Sequence, residues 1–241
     1  MLLCCHRSGQ HKEITVIVTL THPQLTSISQ CGVYDDVLTM KQFCDNVYKA
    51  SQAVPLIKVL PDSDMTPQDK QRKFRGDAFE IFGEYVCRVT ESDSRIGVRS
   101  GELVPLDEDV GVDLHGISTM GDGPVAVQFK FKSDPCHIFK LRELATWLAA
   151  SGHIFEAKGR NLILITTGLG VNHKVKQVVP NLRVINREIL RSLVDNNEGF
   201  WEDFRLSVKG SERQPKQRII RELYPDQTQA LSEIEKWMDS V

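Results

Sequence analysis

Asp113 sits in Val110-Gly-Val-Asp-Leu-His-Gly-Ile117, and Gln128 and Lys130 sit in Val125-Ala-Val-Gln-Phe-Lys-Phe-Lys132. Both stretches read as strands, and strand side chains alternate between faces. Gln128, Lys130 and Lys132 therefore share one face, while Val127, Phe129 and Phe131 share the other. If the two segments pair as a hairpin around Met120 to Pro124, Asp113 lies across from the polar face. An acid, an amide and a lysine would then converge at one place beside apolar strands. Glu80, with Glu84 one turn later on the same helical face, offers a further carboxylate. Carboxylate and carbonyl oxygens suit a hard divalent cation such as Mg²⁺. A lysine beside them suits an attacking water and the charge of a phosphoryl transition state.

These residues need a scaffold, and the chain supplies the signals for one. Thr66 is a helix N-cap with Pro67 at the first helical position, and Phe74, Ala78, Ile81, Phe82 and Tyr85 form the apolar stripe of that helix. Strands are expected over 97–104, 110–117 and 124–131, with turn residues at 107–109 and 120–124. A helix follows over 137–151, carried by Leu141, Leu144, Ala145, Leu148 and Ala149. A buried strand, Asn161-Leu-Ile-Leu-Ile-Thr166, leads to a helix over 171–178, a strand over 182–185 and a helix ending near Asn196. This order predicts an α/β fold: a mixed central sheet flanked by helices on both sides. Residues 1–65 read as a small N-terminal α/β extension. Within it, strands are expected at Ile14 to Leu20 and Pro55 to Leu60, and a helix over 40–53.

Composition narrows the class. With 41% hydrophobic and 26% charged residues the chain is ordinary globular protein, which excludes wholesale disorder. No apolar run is long enough to span a membrane. The start, MLLCCHRSGQ, lacks an adequate apolar h-region, so the expected location is intracellular, cytoplasmic or nucleoid-associated. Cys4-Cys5-His6 lacks zinc-ligand spacing, and the six cysteines are expected to be free thiols. The formal net charge of −2 does not advertise a polyanion partner, yet basic residues cluster locally. Lys70, Arg72, Lys73 and Arg75 form one group, and Lys130, Lys132, Lys140 and Arg142 another. A third group runs from Arg205 to Arg221. Such clusters are either solvated faces or phosphate contacts. His115 shares the strand face of Asp113, as a phosphate contact, an auxiliary base or a plain strand histidine.

Taken together, Glu80, Gly111-Val-Asp113 and Val127-Gln-Phe-Lys130 resemble the PD-(D/E)XK nuclease superfamily, in particular its Mrr-like restriction endonuclease branch. The branch pairs a helical Glu with a Gly-Ile/Val-Asp strand and a Gln-x-Lys strand. Leu162-Ile-Leu-Ile-Thr-Thr167 is similar to the family's Ile-Thr-Thr strand, and 182–190 to its closing strand and helix. The resemblance covers roughly residues 70 to 195.

It implies a restriction-endonuclease-like core over 66–200 and a metal-dependent DNA endonuclease. Mg²⁺ is the expected cofactor, with Mn²⁺ as a substitute. Asp113 would be the principal metal ligand, Gln128 a weaker one, Glu80 the completing acid, and Lys130 the group that orients the attacking water. Gln in place of a second acid removes a charge and lowers the expected metal affinity. Lys132, His115, Lys140, Arg142, Lys73 and Arg75 are the expected DNA contacts.

Residues 201–241 are expected to be a basic linker followed by a helix. There, Leu223-Tyr-Pro-Asp-Gln-Thr-Gln-Ala-Leu231 resembles the segment preceding the Walker motif of superfamily 2 helicases, with Gln227 as the adenine contact. No G-x-x-x-x-G-K-[ST] is present, so the implied partner is a helicase region or ATPase beyond this chain. A homodimer is the implied alternative assembly. The competing reading is a catalytically inactive nuclease-like module for DNA binding or protein docking.

Overall fold

A computed structural model describes residues 2–3, 16–53, 65–91, 93–104, 111–119 and 123–210. Near the start, β1 (Leu2–Leu3) pairs antiparallel with β2 (Val16–Ile17), followed by the short helix α1 (Leu25–Ser29) and α2 (Met40–Ala53). The long helix α3 (Pro67–Val89) precedes β3 (Val98–Leu103), β4 (Leu114–Ser118) and β5 (Pro124–Lys130). Then come β6 (Ile138–Phe139), α4 (Leu141–His153), β7 (Leu162–Thr166), β8 (Gly170–Val171) and α5 (His173–Val178). β9 (Arg183–Ile185), α6 (Arg187–Val194) and α7 (Phe200–Gly210) close the described chain.

The central sheet has the order β3-β4-β5-β7-β9. β3, β4 and β5 form an antiparallel meander, whereas β5, β7 and β9 run parallel. The expected α/β class, with a mixed sheet between helices, is borne out. Alternation along the strands sorts their side chains into two cores. Val125, Val127, Phe129, Ile163 and Ile165 join α3 on one face. Ala126, Leu162 and Leu164 join Leu144, Trp147 and Ala150 of α4 on the other.

Helix α3 starts as the sequence predicts, with Thr66 Oγ1 accepting the Asp69 amide at 3.2 Å and Pro67 where no amide donor is needed. It is clasped by aromatic side chains. Phe82 stacks on Phe43 of α2 at 4.6 Å and on Trp201 of α7 at 5.6 Å, and Tyr85 meets Phe204 at 5.1 Å. Tyr34 Oη donates to the Ala78 carbonyl at 3.1 Å. Apolar side chains from either side of the boundary expected after residue 65 thus share one core.

Three expectations are corrected. Residues 201–210, expected as linker, form most of α7, because Phe200, Trp201, Phe204 and Val208 recur at helical spacing and bury against α2 and α3. Arg205, grouped with the basic linker, donates to the Val37 carbonyl at 2.7 Å. Of the strand expected over Ile14 to Leu20, Val16–Ile17 form β2 and Val18 to Leu20 are not strand, while Ile14 and Thr15 lie outside the described residues. The helix expected from His137 begins at Leu141, since Ile138–Phe139 pair with β8 instead. The strand expected at 55–60, Cys4-Cys5-His6 and the helix expected at 222–237 lie outside the described residues. Cys31, Cys44, Cys87 and Cys136 are free thiols. No helix among the described residues is long and apolar enough to cross a membrane.

One contact sets how closely α3 approaches β5. A Cβ on Gly83 would lie 2.3 Å from the ring of Phe129, which is itself buried. Glycine lets the helix backbone rest on the ring. Gly83→Ala is therefore expected to destabilise the protein by about 1–3 kcal/mol in urea unfolding, by overpacking a site with no room to relax.

Candidate active site

Lys73, Asp77, Glu80 and Glu84 recur at four, three and four residues along α3, which places them on one face of the helix. The stripe is solved differently at its two ends. Glu84 is fully buried. Its oxygens accept the Thr21 amide at 2.9 and 3.1 Å, Thr21 Oγ1 at 2.7 Å and the His22 amide at 3.2 Å, and Arg88 Nη2 lies 2.8 Å away. Glu84 therefore anchors the segment before α1 and has no oxygen to spare for a ligand role. That anchoring delivers His22, which is 4% exposed, to Glu80. His22 Nδ1 accepts the Gln24 amide at 3.1 Å, so Nε2 carries the proton and donates to Glu80 Oε2 at 3.2 Å.

On the sheet side, Gly111 of the Gly-Val-Asp motif has φ +86, and a Cβ there would press on Thr146 of α4 at 3.1 Å. Val112 then buries on the α4 side and Leu114 on the α3 side, which fixes Asp113 between them. Asp113 Oδ2 accepts the Phe129 amide at 2.6 Å and the Gln128 side-chain amide. The hairpin expected around 120–124 pairs Leu114 with Val127 and Ile117 with Pro124. Asp113 thus stands at the residue where the ladder opens.

The end of β5 is held from the other side by the Thr-Thr pair. Thr166 Oγ1 donates to the Lys130 carbonyl at 2.7 Å, and Thr167 Oγ1 donates to the Lys132 carbonyl at 2.8 Å. The Lys132 amide in turn donates to Thr167 Oγ1 at 2.6 Å. Both threonines are wholly buried. The backbone that carries Lys130 is clamped over three residues.

Glu80 and Asp113 line one cavity of about 90 Å³, together with His22, Asp77, Lys73, Leu103 and Val112. That is room for an ion and bound water. Burial pushes the Asp113 carboxyl well above the usual carboxylate range, and the Glu80 charge pushes the same way. Lys130, the Phe129 amide and the Gln128 amide oppose them. Asp77 is likewise raised, by burial first, with the Lys73 charge resisting and the Glu80 charge adding to it. Carboxylates crowded into a shared cavity repel one another, and a divalent cation would relieve that repulsion. The donor set fits such an ion. Glu80 and Asp113 each have one oxygen tied to protein donors and the other without a protein donor among the described residues.

The other expected residues divide. Lys73 lies in the cavity, with Nζ donating to Asp77 Oδ1 at 3.2 Å. Lys130 is half-buried, and its charge acts on Asp113. Lys132 sits 3.0 Å from Glu143 and 5.0 Å from the centre of the Phe139 ring. Burial raises the Glu143 carboxyl, but the Lys140 amide, Lys132 and His137 together hold it down at about 2. His115 stacks on Phe155 with ring centres 5.3 Å apart, and Arg75 covers the Tyr48 ring at 5.7 Å. Lys140 and Arg142 are exposed at the start of α4. Neither Gln128, Lys130 nor any of these last five lines the cavity. His22 and Asp77 were missed by sequence reasoning. Asp77 carried a signal, one turn before Glu80 on the stripe, whereas His22 is 58 residues from its partner and carried none.

No protein-family model matches the chain, and no curated protein sequence does. Among solved structures, the chain is similar to one described as "Metal-depleted Ecl18kI in complex with uncleaved DNA". The identity is 13%, over 92% of this chain and 80% of that one, with a TM-score of 0.25.

Asp113→Asn keeps an oxygen for both donors while removing the crowded charge. The Asp113 carboxyl binds its proton more tightly folded than unfolded. The wild type therefore loses stability as pH rises from about 4, the ordinary carboxylate range, through the raised folded value. In EDTA, Asp113→Asn should melt above wild type at neutral pH, and the gap should close as pH falls toward about 4. Thermal melts across that range check this.

Proposed function

We propose that this chain is a metal-dependent DNA endonuclease that hydrolyses phosphodiester bonds. The observation that carries the reading is the convergence of Glu80 from α3 and Asp113 from the head of β4 on one cavity, with the charge of Lys130 acting on Asp113. Two acids and a lysine delivered by three separate elements are the parts that phosphodiester hydrolysis needs. Glu80 and Asp113 would hold the cation, Mg²⁺ or Mn²⁺, through their untied oxygens, and the ion would supply charge neutralisation at the phosphate. Gln128, 3% exposed, orients Asp113 through its amide and keeps a carbonyl oxygen as a weaker ligand. Lys130 orients the attacking water and steadies the charge that builds on phosphorus-bound oxygen. His22 holds Glu80 in place from the opposite side.

DNA would reach the cavity across its basic surroundings. Lys73 is the nearest candidate, with Lys132, Lys140, Arg142, His115 and Arg75 as contacts further along the strand. We infer the chain to be the nuclease part of a larger nuclease–helicase, on the resemblance of 223–231 alone. A homodimer is the alternative assembly.

The test is nicking of supercoiled plasmid by wild type and Lys130→Ala, with Mg²⁺, Mn²⁺ or EDTA. Wild type should nick only with metal, and the variant should lose at least about 100-fold in rate while melting like wild type. Full-rate nicking by Lys130→Ala rejects the assigned site. Metal-dependent DNA binding without cleavage by either protein favours the inactive-module reading.

A further inference from the structure

Asp77 is 4% exposed and belongs to no motif that the nuclease reading uses. Lys73 Nζ donates to its Oδ1 at 3.2 Å, but its Oδ2 is buried with no hydrogen-bond partner among the described residues. A buried carboxylate oxygen with no donor is unusual and asks for a ligand. Asp77 lines the same cavity as Glu80 and Asp113. One potential ligand atom from each of His22, Asp77 and Glu80 falls within 4.8 Å of the others. Two oxygens bound to one ion at about 2.0–2.6 Å each are separated by no more than that scale.

The contrast along α3 sharpens the point. Glu84, two turns further on, is equally buried, and its oxygens are met by Thr21, His22 and Arg88. Asp77, Glu80 and Asp113 instead each present one tied oxygen and one without a protein donor among the described residues. His22 is not the third ligand. Its Nδ1 accepts the Gln24 amide, so its Nε2 carries a proton and acts as a donor to Glu80. The remaining set is all oxygen, which selects a hard divalent cation over a thiophilic one.

We propose that Asp77 is a metal ligand, holding a divalent cation together with Glu80 on the α3 side of the cavity. Lys73 is then the internal competitor for that ion: it neutralises Asp77 when no cation is bound and can swing toward solvent, its side chain being 35% exposed. The inference rests on the nuclease reading, because Glu80 serves both.

The experiment is Mn²⁺ binding to the full chain, followed by the loss of the free-ion EPR signal, for wild type, Asp77→Asn, Lys73→Met and Asp113→Asn. Asp77→Asn should weaken Mn²⁺ binding at least about tenfold, and Lys73→Met should tighten it. The two variants pull in opposite directions, so a general loss of folding cannot imitate the pair, and the Lys73→Met result stands if Asp77→Asn does not fold. Unchanged or weaker binding in Lys73→Met, or wild-type binding in Asp77→Asn, overturns the assignment and leaves Asp77 an ion-pair partner. If Asp113→Asn alone loses binding, the nuclease reading survives and this inference fails. If wild type binds no Mn²⁺, both fail.

Discussion

Carboxylates placed along a buried helix need donors, and in this protein that requirement organises the site. Helix α3 must be apolar enough to pack on the sheet and on the aromatic side chains of α2 and α7, yet it carries Asp77, Glu80 and Glu84 on one stripe. Glu84 meets the requirement completely by capturing the segment at Thr21 and His22. That capture supplies the histidine that meets half the requirement of Glu80. A chain segment far away in sequence is thus tied to the site by a carboxylate whose own oxygens are met by protein donors.

The same division of labour governs the sheet. Asp113 is oriented by donors from β5, and β5 is held in register by the threonines at the end of β7. Lys130 sits on the clamped stretch, so its position depends on two strands rather than on its own side-chain contacts. Gly83 and Phe129 bring α3 close enough for the two halves to face one cavity. The result is a cavity in which burial and the Glu80 charge raise the carboxyls of Asp113 and Asp77.

Much of this was legible in the sequence where the signals are local. The cap at Thr66, the helix over 40–53, and the alternation of Val127, Gln128, Phe129 and Lys130 each depend on near neighbours, and each appears in the structure. Where the meaning of a residue depends on a distant partner, the reading fell short. Glu84 was a candidate ligand because nothing nearby reveals Thr21 as its donor. Phe200, Trp201 and Phe204 form a stripe only in sight of Phe82 and Tyr85, so nothing local marks residues 201–210 as part of a packed helix. His115 shares strand parity with Asp113 but is drawn to Phe155 by stacking. Parity fixes a face; packing decides what that face meets.

In the proposed reaction a divalent cation would sit between the untied oxygens of Asp113 and Glu80. Anomalous diffraction from crystals of the full chain soaked in Mn²⁺ tests it directly. A peak in the cavity within about 2.0–2.6 Å of one oxygen of each residue is the predicted result. An ion bound elsewhere in the same crystals, with that cavity holding only water, would contradict it.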